Sequence, residues 1–168
     1  MLSQKYETQK YNVIKTMDNF EIRYYPPTIK AKVSSSRNFS KLFQYIRGNN
    51  EKKEKIAMTT PVYMSKKEEK ITMEFVMPSK YSEKNMVQPN DEDIVVYRST
   101  PGYYASIAFG GYASVKKVNH YYDLLLNKIK ERKLKVLGKE PISLSYNSPY
   151  KVFNRRNEVL IEIEYTEN

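Results

Sequence analysis

Short stretches in which apolar and polar side chains alternate constrain the fold of this chain more than any other feature. They recur at residues 29–33, 71–77 and 159–165 with a period of two residues. That period puts successive side chains on opposite faces of a β-strand, so we expect one face on a core and the other in water. The apolar positions are Ile29, Ala31 and Val33; Ile71, Met73, Phe75 and Met77; and Val159, Ile161, Ile163 and Tyr165.

Two further segments show the helical period instead. An i, i+3, i+4, i+7 pattern predicts a helix over residues 38–47, with one apolar face made of Phe39, Leu42, Phe43 and Ile46. We expect Asn38 to cap this helix and Gly48 to end it. A second helix is predicted over residues 114–132. Its apolar stripe consists of Val115, Val118, Tyr122, Leu125, Leu126 and Ile129. Two helices among many strands indicate an α+β fold.

The alternating stretches also repeat along the chain. At an offset of 88 residues, segment 60–75 aligns with 148–163 and Pro61 meets Pro149; at an offset of 74 residues, Pro27 meets Pro101. We therefore expect an internal duplication, with half-repeats at about 12–78 and 93–166. One short helix cannot cover the sheet face of a half, so both halves are expected to pack into a single domain, residues 1–168.

Composition excludes several kinds of chemistry. The chain has no cysteine, which excludes disulfides and thiol nucleophiles. Its one histidine, His120, does not support a catalytic triad. The string FGGYA, at 109–113, lacks the spacing of a nucleotide-binding loop. Strand and turn carboxylates are expected to face outward, and they are Glu21, Glu74, Glu158 and Glu162. The sequence thus predicts a protein that is not an enzyme, with no catalytic or metal-binding residues.

The charge of +10 favours an anionic partner, but acids are interleaved with the lysines, as at 66–70, which is typical of a solvated surface. The lysine-rich residues 128–135 and the 16 tyrosines, which can stack on bases, are compatible with nucleic-acid binding. No helix-turn-helix, RNP-like or zinc motif supports it, and no nucleic acid is expected. No apolar run approaches the roughly 18 residues that span a bilayer. Residues 1–15 lack the apolar stretch of a signal peptide. We expect a soluble, cytoplasmic protein without membrane insertion.

Several local strings together resemble the SOUL haem-binding family. They are EIRYY (21–25), GNN (48–50), KIAMTTPV (55–62), FVMP (75–78), FGGYA (109–113), YNSP (146–149) and RRNEV (155–159). The resemblance covers roughly residues 10–165. It implies a distorted, β-barrel-like α+β fold of antiparallel sheets with two helices, similar in shape to bacterial effector-binding domains. Within RRNEV, Asn157 and Glu158 are expected to form a turn that starts a sheet edge.

The resemblance also implies binding of haem or a related tetrapyrrole, with haem not required for folding. Haem needs an apolar surface, cations near its edge and in some proteins an axial ligand. We expect haem to bind in a shallow apolar groove beside the first helix and segment 55–62. The protein would then act as a carrier, buffer or sensor. Its residues are Tyr24, Leu42, Ile46, Arg47, Lys52, Lys55, Met58 and Val62. Tyr24 stands where some family members have a histidine proposed as iron ligand, and His120 lies off the apolar stripe of its helix.

Two other functions fit the same residues. The groove could bind a protein partner, in which case haem binding would be incidental. A domain of this shape could also be a sensor for cationic drugs, which would need a buried acidic residue that the sequence does not single out.

Overall fold

The computed structural model describes residues 6–147 and 151–167. Within them lie two α-helices, α1 (Asn38–Ile46) and α2 (Val115–Glu131). The strands are β1 (Glu7–Thr8), β2 (Asn12–Met17), β3 (Phe20–Tyr25), β4 (Ile29–Val33), β5 (Thr59–Thr60), β6 (Val62–Lys67), β7 (Lys70–Val76), β8 (Ile94–Arg98), β9 (Gly102–Gly110), β10 (Lys135–Val136), β11 (Ile142–Ser145) and β12 (Arg156–Glu164).

One antiparallel sheet, curled into a half-barrel, contains all strands except the short parallel pair of β1 and β5. Its order is β2–β3–β9–β12–β11–β6–β7–β4–β8, and β10 pairs with β12. Under the predicted duplication, and read outward from the central β11–β6 pair, β12, β9 and β3 on one side correspond to β7, β4 and β8 on the other. The first strand of each half pairs with the other half, since β3 joins β9 and β8 joins β4. Neither half can therefore complete its sheet alone.

Both predicted helices are confirmed and pack on the same face of the sheet. Helix α1 lies on β4 and β7, and α2 lies on β9 and β12. Each helix seals its own apolar cluster, because the centre of its stripe faces the sheet. Around α1 the buried residues include Ala31, Val33, Leu42, Ile46 and Phe75, and around α2 they include Ile22, Ala105, Leu125, Ile129 and Ile161.

The two helices begin differently. The side chain of Ser114 accepts a hydrogen bond from the Lys117 N–H, an ordinary N-cap. The prediction that Asn38 caps α1 is wrong, because Arg37 holds the cap position. The amide of Asn38 instead accepts from the Ser35 N–H and donates to the Ile71 carbonyl. It therefore ties α1 to β7.

The other face, which we call the inner face, carries no helix yet is also buried. Its apolar cluster comprises Tyr25, Tyr63, Val76, Leu144 and Leu160. This corrects the expectation that alternate residues meet water. Because the sheet curls, side chains on the inner face shield one another, and β12 is buried on both faces. Glu158, expected to face outward, is 1% exposed, and β12 lies between β9 and β11 rather than at an edge.

The strand ladders also correct the register of the proposed repeat. Ala31 faces Phe75 in the β4–β7 ladder, and its counterpart Ala105 faces Ile161 in the β9–β12 ladder. The offset of 88 residues aligns Phe75 with Ile163 instead. The match is thus two residues away from the prediction, on the same face because the strand period is two.

The strand before β12 is also displaced from its predicted place. Residues 151–155, which that offset aligns with β6, lie outside any strand. Strand β11 takes the position instead and follows Pro141, as β6 follows Pro61. Pro149 lies outside the described residues.

Replacing Phe75 with alanine should cost about 3–5 kcal/mol of unfolding free energy, because it leaves a cavity beneath α1. Phe75 is 2% exposed, whereas Ile71, on the same strand and face, is 42% exposed. The prediction that Ile71 packs into the core is therefore wrong. Ile71→Ala is therefore the matched control and should cost less than about 1 kcal/mol. Urea unfolding measures both, and similar losses would contradict the described packing of β7.

Candidate functional site

An apolar groove crosses the helix-bearing face where neither helix covers the sheet. Helix α1 rests on β4 and β7, and α2 on β9 and β12, so the central strands β6 and β11 stay partly open. Met64 and Ile71 lie on the sheet side, and Val115 and Val118 on α2 form a wall around a volume of about 150 Å³. We call this the inter-helix groove. Its other lining residues are Ser65, Lys66, Ala113, Asn119, Pro141 and Ser143.

The flank of α1 carries two exposed aromatic rings, which are not among the residues that line the groove. Phe39 and Phe43, one turn apart, stack with ring centroids 5.6 Å apart and remain 43% and 37% exposed. Phe39 also meets the ring of Phe75 edge-on at 6.0 Å. Phe75 pairs across the ladder with Val62 of β6, so the flank borders the open centre of the sheet. The Arg47 guanidinium lies 5.3 Å from the Phe43 ring centroid and places a cation there.

The predicted α1 residues separate into two sets. Leu42 and Ile46 are 0% and 5% exposed in the core under α1, so the prediction that they line a groove is wrong. Helical periodicity predicts an apolar stripe on α1. Only the packing shows that the centre of this stripe contacts the sheet, while Phe39 and Phe43 lie at the edge of the stripe. The pattern had grouped all four residues together. Arg47, a predicted rim cation, does lie at the end of this flank.

The predicted residues that follow α1 lie on or under one loop. Met58 and Val62 are half-buried against the α1 core, while Lys52 and Lys55 are exposed. Asn50, from the GNN string, holds this loop closed. Its side chain accepts from the N–H groups of Lys52 and Glu54, and donates to the carbonyls of Tyr45 and Glu54. The two lysines therefore stay near the C-terminal end of α1.

Tyr24 is not brought together with the other predicted residues. It lies on β3, where its ring contacts Tyr103 at 5.3 Å. Strands β9, β12 and β11 separate β3 from β6, which is about 19 Å at the usual spacing of neighbouring strands. His120 is exposed on α2 and contacts Tyr121 edge-on. Haem held on the α1 flank is therefore out of reach of the Tyr24 phenolate.

Two of the family-like strings meet in a buried ion pair on the inner face. Arg23 of EIRYY and Glu158 of RRNEV are 2% and 1% exposed. The guanidinium donates through Nη1 and Nη2 to the two carboxylate oxygens, at 2.9 and 2.5 Å. The Tyr146 hydroxyl and Arg156 also donate to Glu158, at 2.6 and 3.0 Å. Sequence reasoning missed this pair because a strand position does not reveal burial on both faces.

Other strings serve the same framework. Asn157 donates from its side chain to the Gly111 carbonyl at 2.6 Å and so joins RRNEV to FGGYA. The Thr59 hydroxyl donates to the Val76 carbonyl, and the Met77 N–H to the Ile29 carbonyl. Most of these residues thus fix the strands in place. Met64 and Val115 of the groove and Phe43 of the α1 flank belong to none of the strings.

Solved structures with this architecture share the fold at low sequence identity. A hydrolase from Listeria innocua has a TM-score of 0.64 at 9% identity, covering 90% of this chain and 94% of its own. The C-terminal domain of EcmrR has a TM-score of 0.62 at 13% identity, covering 93% and 99%. At such identities the likeness shows the fold alone. The molecule is thus a two-helix half-barrel with the same fold as these two solved structures.

Sequence comparison identifies the family. The SOUL heme-binding protein family matches residues 6–162, and the chain belongs to it. Heme-binding protein 2 of Homo sapiens is 32% identical over 158 residues, which cover 84% of this chain and 76% of that protein. Heme-binding protein 2 of Mus musculus is 28% identical over 157 residues with the same coverage. No helix within residues 6–147 and 151–167 is long and apolar enough to cross a membrane.

Replacing Glu158 with glutamine should cost about 3 kcal/mol, because it removes the fully buried counter-charge of Arg23 and leaves that guanidinium only the more exposed carboxylate of Glu21. Burial raises the pKa of Glu158, but the hydrogen bonds and charge of Arg23 outweigh it, and the pKa is held below its ordinary value. The unfolded chain therefore binds the proton more readily. The stabilisation is present above the unfolded pKa and is lost as pH falls through the lower, folded pKa.

Chemical denaturation from pH 7 down into the acid range measures this effect. The free energy of unfolding of the native protein should fall more steeply there than that of Glu158→Gln. The control is Glu164→Gln, an exposed strand-end carboxylate that contacts Lys135 at 3.7 Å. Parallel pH profiles for the native protein and Glu158→Gln would contradict the role given to the pair.

Proposed function

We propose that this protein binds haem or a related tetrapyrrole across the inter-helix groove and the neighbouring flank of α1, as a carrier, buffer or sensor. The observation that carries the proposal is an exposed apolar surface on an otherwise well-packed face. Its members keep over a third of their surface accessible, and they are Phe39, Phe43, Met64, Ile71 and Val115. Membership of the SOUL family supports the choice of ligand.

The surface suits a flat apolar disc with two acidic groups. Apolar contact contributes roughly 25 cal/mol per Å² buried, so a porphyrin face gains several kcal/mol without an iron bond. Arg47 beside Phe43 and Lys66 in the groove can each approach a propionate. Exposed ion pairs contribute about 0–1 kcal/mol each, so apolar area should dominate the affinity.

The proposed role includes no chemical step. The buried carboxylate of Glu158 would be the natural acid or base, but Arg23, Arg156 and Tyr146 already bind it. These contacts favour its charged form and hold it in place, which suits a structural anchor better than a proton donor. A protein partner docking on the same apolar surface is the alternative use, since exposed stacked phenylalanines also suit a protein interface.

Metal-free protoporphyrin should bind nearly as tightly as haemin, within about threefold, because apolar area rather than iron ligation carries the affinity. An absorption and fluorescence titration of the purified protein with each ligand measures this. Affinity should change only modestly between low and high salt. A preference for haemin of a hundredfold or so would mean that the iron is ligated and would overturn the unligated site.

Phe43→Ala should weaken protoporphyrin by about fivefold, the value of losing roughly half of an exposed ring's contact area. Val13→Ala is the matched control, since Val13 is 50% exposed on β2, near the far edge of the sheet. Tyr24→Phe and His120→Ala should leave both ligands unaffected. If Phe43→Ala binds normally, or either of the last two variants loses haemin alone, the proposed location is wrong.

A further inference from the structure

A second cavity lies on the inner face, on the opposite side of the sheet from the inter-helix groove. Its volume is about 170 Å³, slightly more than the roughly 150 Å³ of a cavity that holds benzene. Four tyrosine rings and two charged side chains surround it. We call it the inner pocket, and its principal residues are Tyr25, Lys30, Tyr63, Glu74, Tyr97 and Tyr104.

Lys30 is the unusual member of this pocket. The residue is 9% exposed, and its ammonium lies 3.6 Å from the Tyr63 ring centroid. Within the described part of the chain, that ammonium makes no hydrogen bond and no ion pair, whereas Lys41 binds both Asp91 and Asp93. A cation–π contact satisfies none of the three N–H donors. The ammonium is not fully enclosed, so it is an unpaired donor that lines the pocket and suits an anionic group.

Most of the tyrosine hydroxyl groups around the pocket already have hydrogen-bond partners within the protein. The Tyr63 hydroxyl donates to the side chain of Gln9 at 2.5 Å, and that of Tyr97 donates to Glu74. The Tyr25 hydroxyl accepts from Arg23 at 3.0 Å. With these polar tips held, the rings themselves form apolar walls, and Tyr25 and Tyr104 pack edge to face at 5.4 Å. The walls therefore combine aromatic ring faces with polar groups, including Ser99 and Thr100, which suits an aromatic body that carries a polar group.

The carboxylate of Glu74 in the pocket would favour a cationic ligand, but two observations oppose a cationic ligand. The Glu74 carboxylate already accepts from Tyr97, and Lys32 stands directly across from it in the β4–β7 ladder. The position over the Tyr63 ring, where a cation would bind, is taken by Lys30. Burial lowers the pKa of Lys30 and the charge of Glu74 raises it, and a bound anion would favour the charged ammonium further.

We propose that the inner pocket binds a small aromatic carboxylate, whose ring packs among the tyrosines and whose carboxylate accepts hydrogen bonds from Lys30. This site is independent of tetrapyrrole binding, because alternate residues of the same strands serve the two faces. On β7, Glu74 faces the inner pocket and Ile71 the inter-helix groove.

Three probes of one shape and different charge test the proposal: benzoate, benzyl alcohol and benzylamine. Each is titrated into the native protein while NMR follows the tyrosine ring signals. Benzoate should bind at least about tenfold more tightly than benzyl alcohol, as expected for a hydrogen bond to a charged group, and benzylamine should bind weakest. Tighter binding of benzylamine, or shifts of equal size and affinity for all three probes, would overturn it.

Two variants locate the site. Lys30→Met should remove the preference for benzoate while benzyl alcohol still binds. Lys32→Met is the matched control, from the same strand and face but exposed, and should keep the preference. If Lys30→Met fails to fold, the native probe series and the identity of the shifted tyrosines still decide. Saturating protoporphyrin should leave benzoate binding unchanged, so failure of either site is visible without the other.

Discussion

The ion pair between Arg23 and Glu158 holds the two ends of the chain in one sheet. Arg23 lies on β3 and Glu158 on β12, with β9 between them. The guanidinium must therefore reach across β9, and the inner face of β9 allows this because it carries the small side chains of Ser106 and Ala108 there. Closing this contact joins residues 135 positions apart in sequence. The contact lies on the inner face, where the curl of the sheet buries both side chains.

A buried ion pair is costly unless its hydrogen-bonding capacity is filled. Here it is filled, because Arg23 also donates to Glu21 and Tyr25 and lies 4.1 Å from the Tyr11 ring centroid, while Glu158 has the further donors described above. The strings that identify the family therefore encode a polar framework inside the half-barrel. A match to those strings is strong evidence for the fold and says little about where a ligand rests.

The sequence predicts this fold well where one physical rule suffices. Both helices lie within about one residue of their predicted bounds, and Phe75 is buried as its alternation requires. Prediction from the sequence fails where the burial of a side chain depends on which surfaces of the sheet or helix are covered. Alternation shows that Glu158 and Val159 point to opposite sides, but not that a curled sheet buries both. The i, i+3, i+4 pattern of α1 likewise cannot tell Leu42, at the centre of the contact, from Phe43 at its flank. Such distinctions depend on long-range packing, which spacing alone does not contain.

The same curl gives the sheet two chemically different faces. The helix-bearing face buries aliphatic side chains and leaves an apolar gap, because two helices are too narrow to cover the central strands β6 and β11. The inner face has no helix to supply apolar bulk, so tyrosines fill it. Their hydroxyls hydrogen-bond to Gln9, Glu74 and Glu158. Binding at the gap need not disturb this lining, since β6 and β7 separate the two. The Arg23–Glu158 pair is part of the inner face, so the framework of the sheet does not include the exposed residues of the gap.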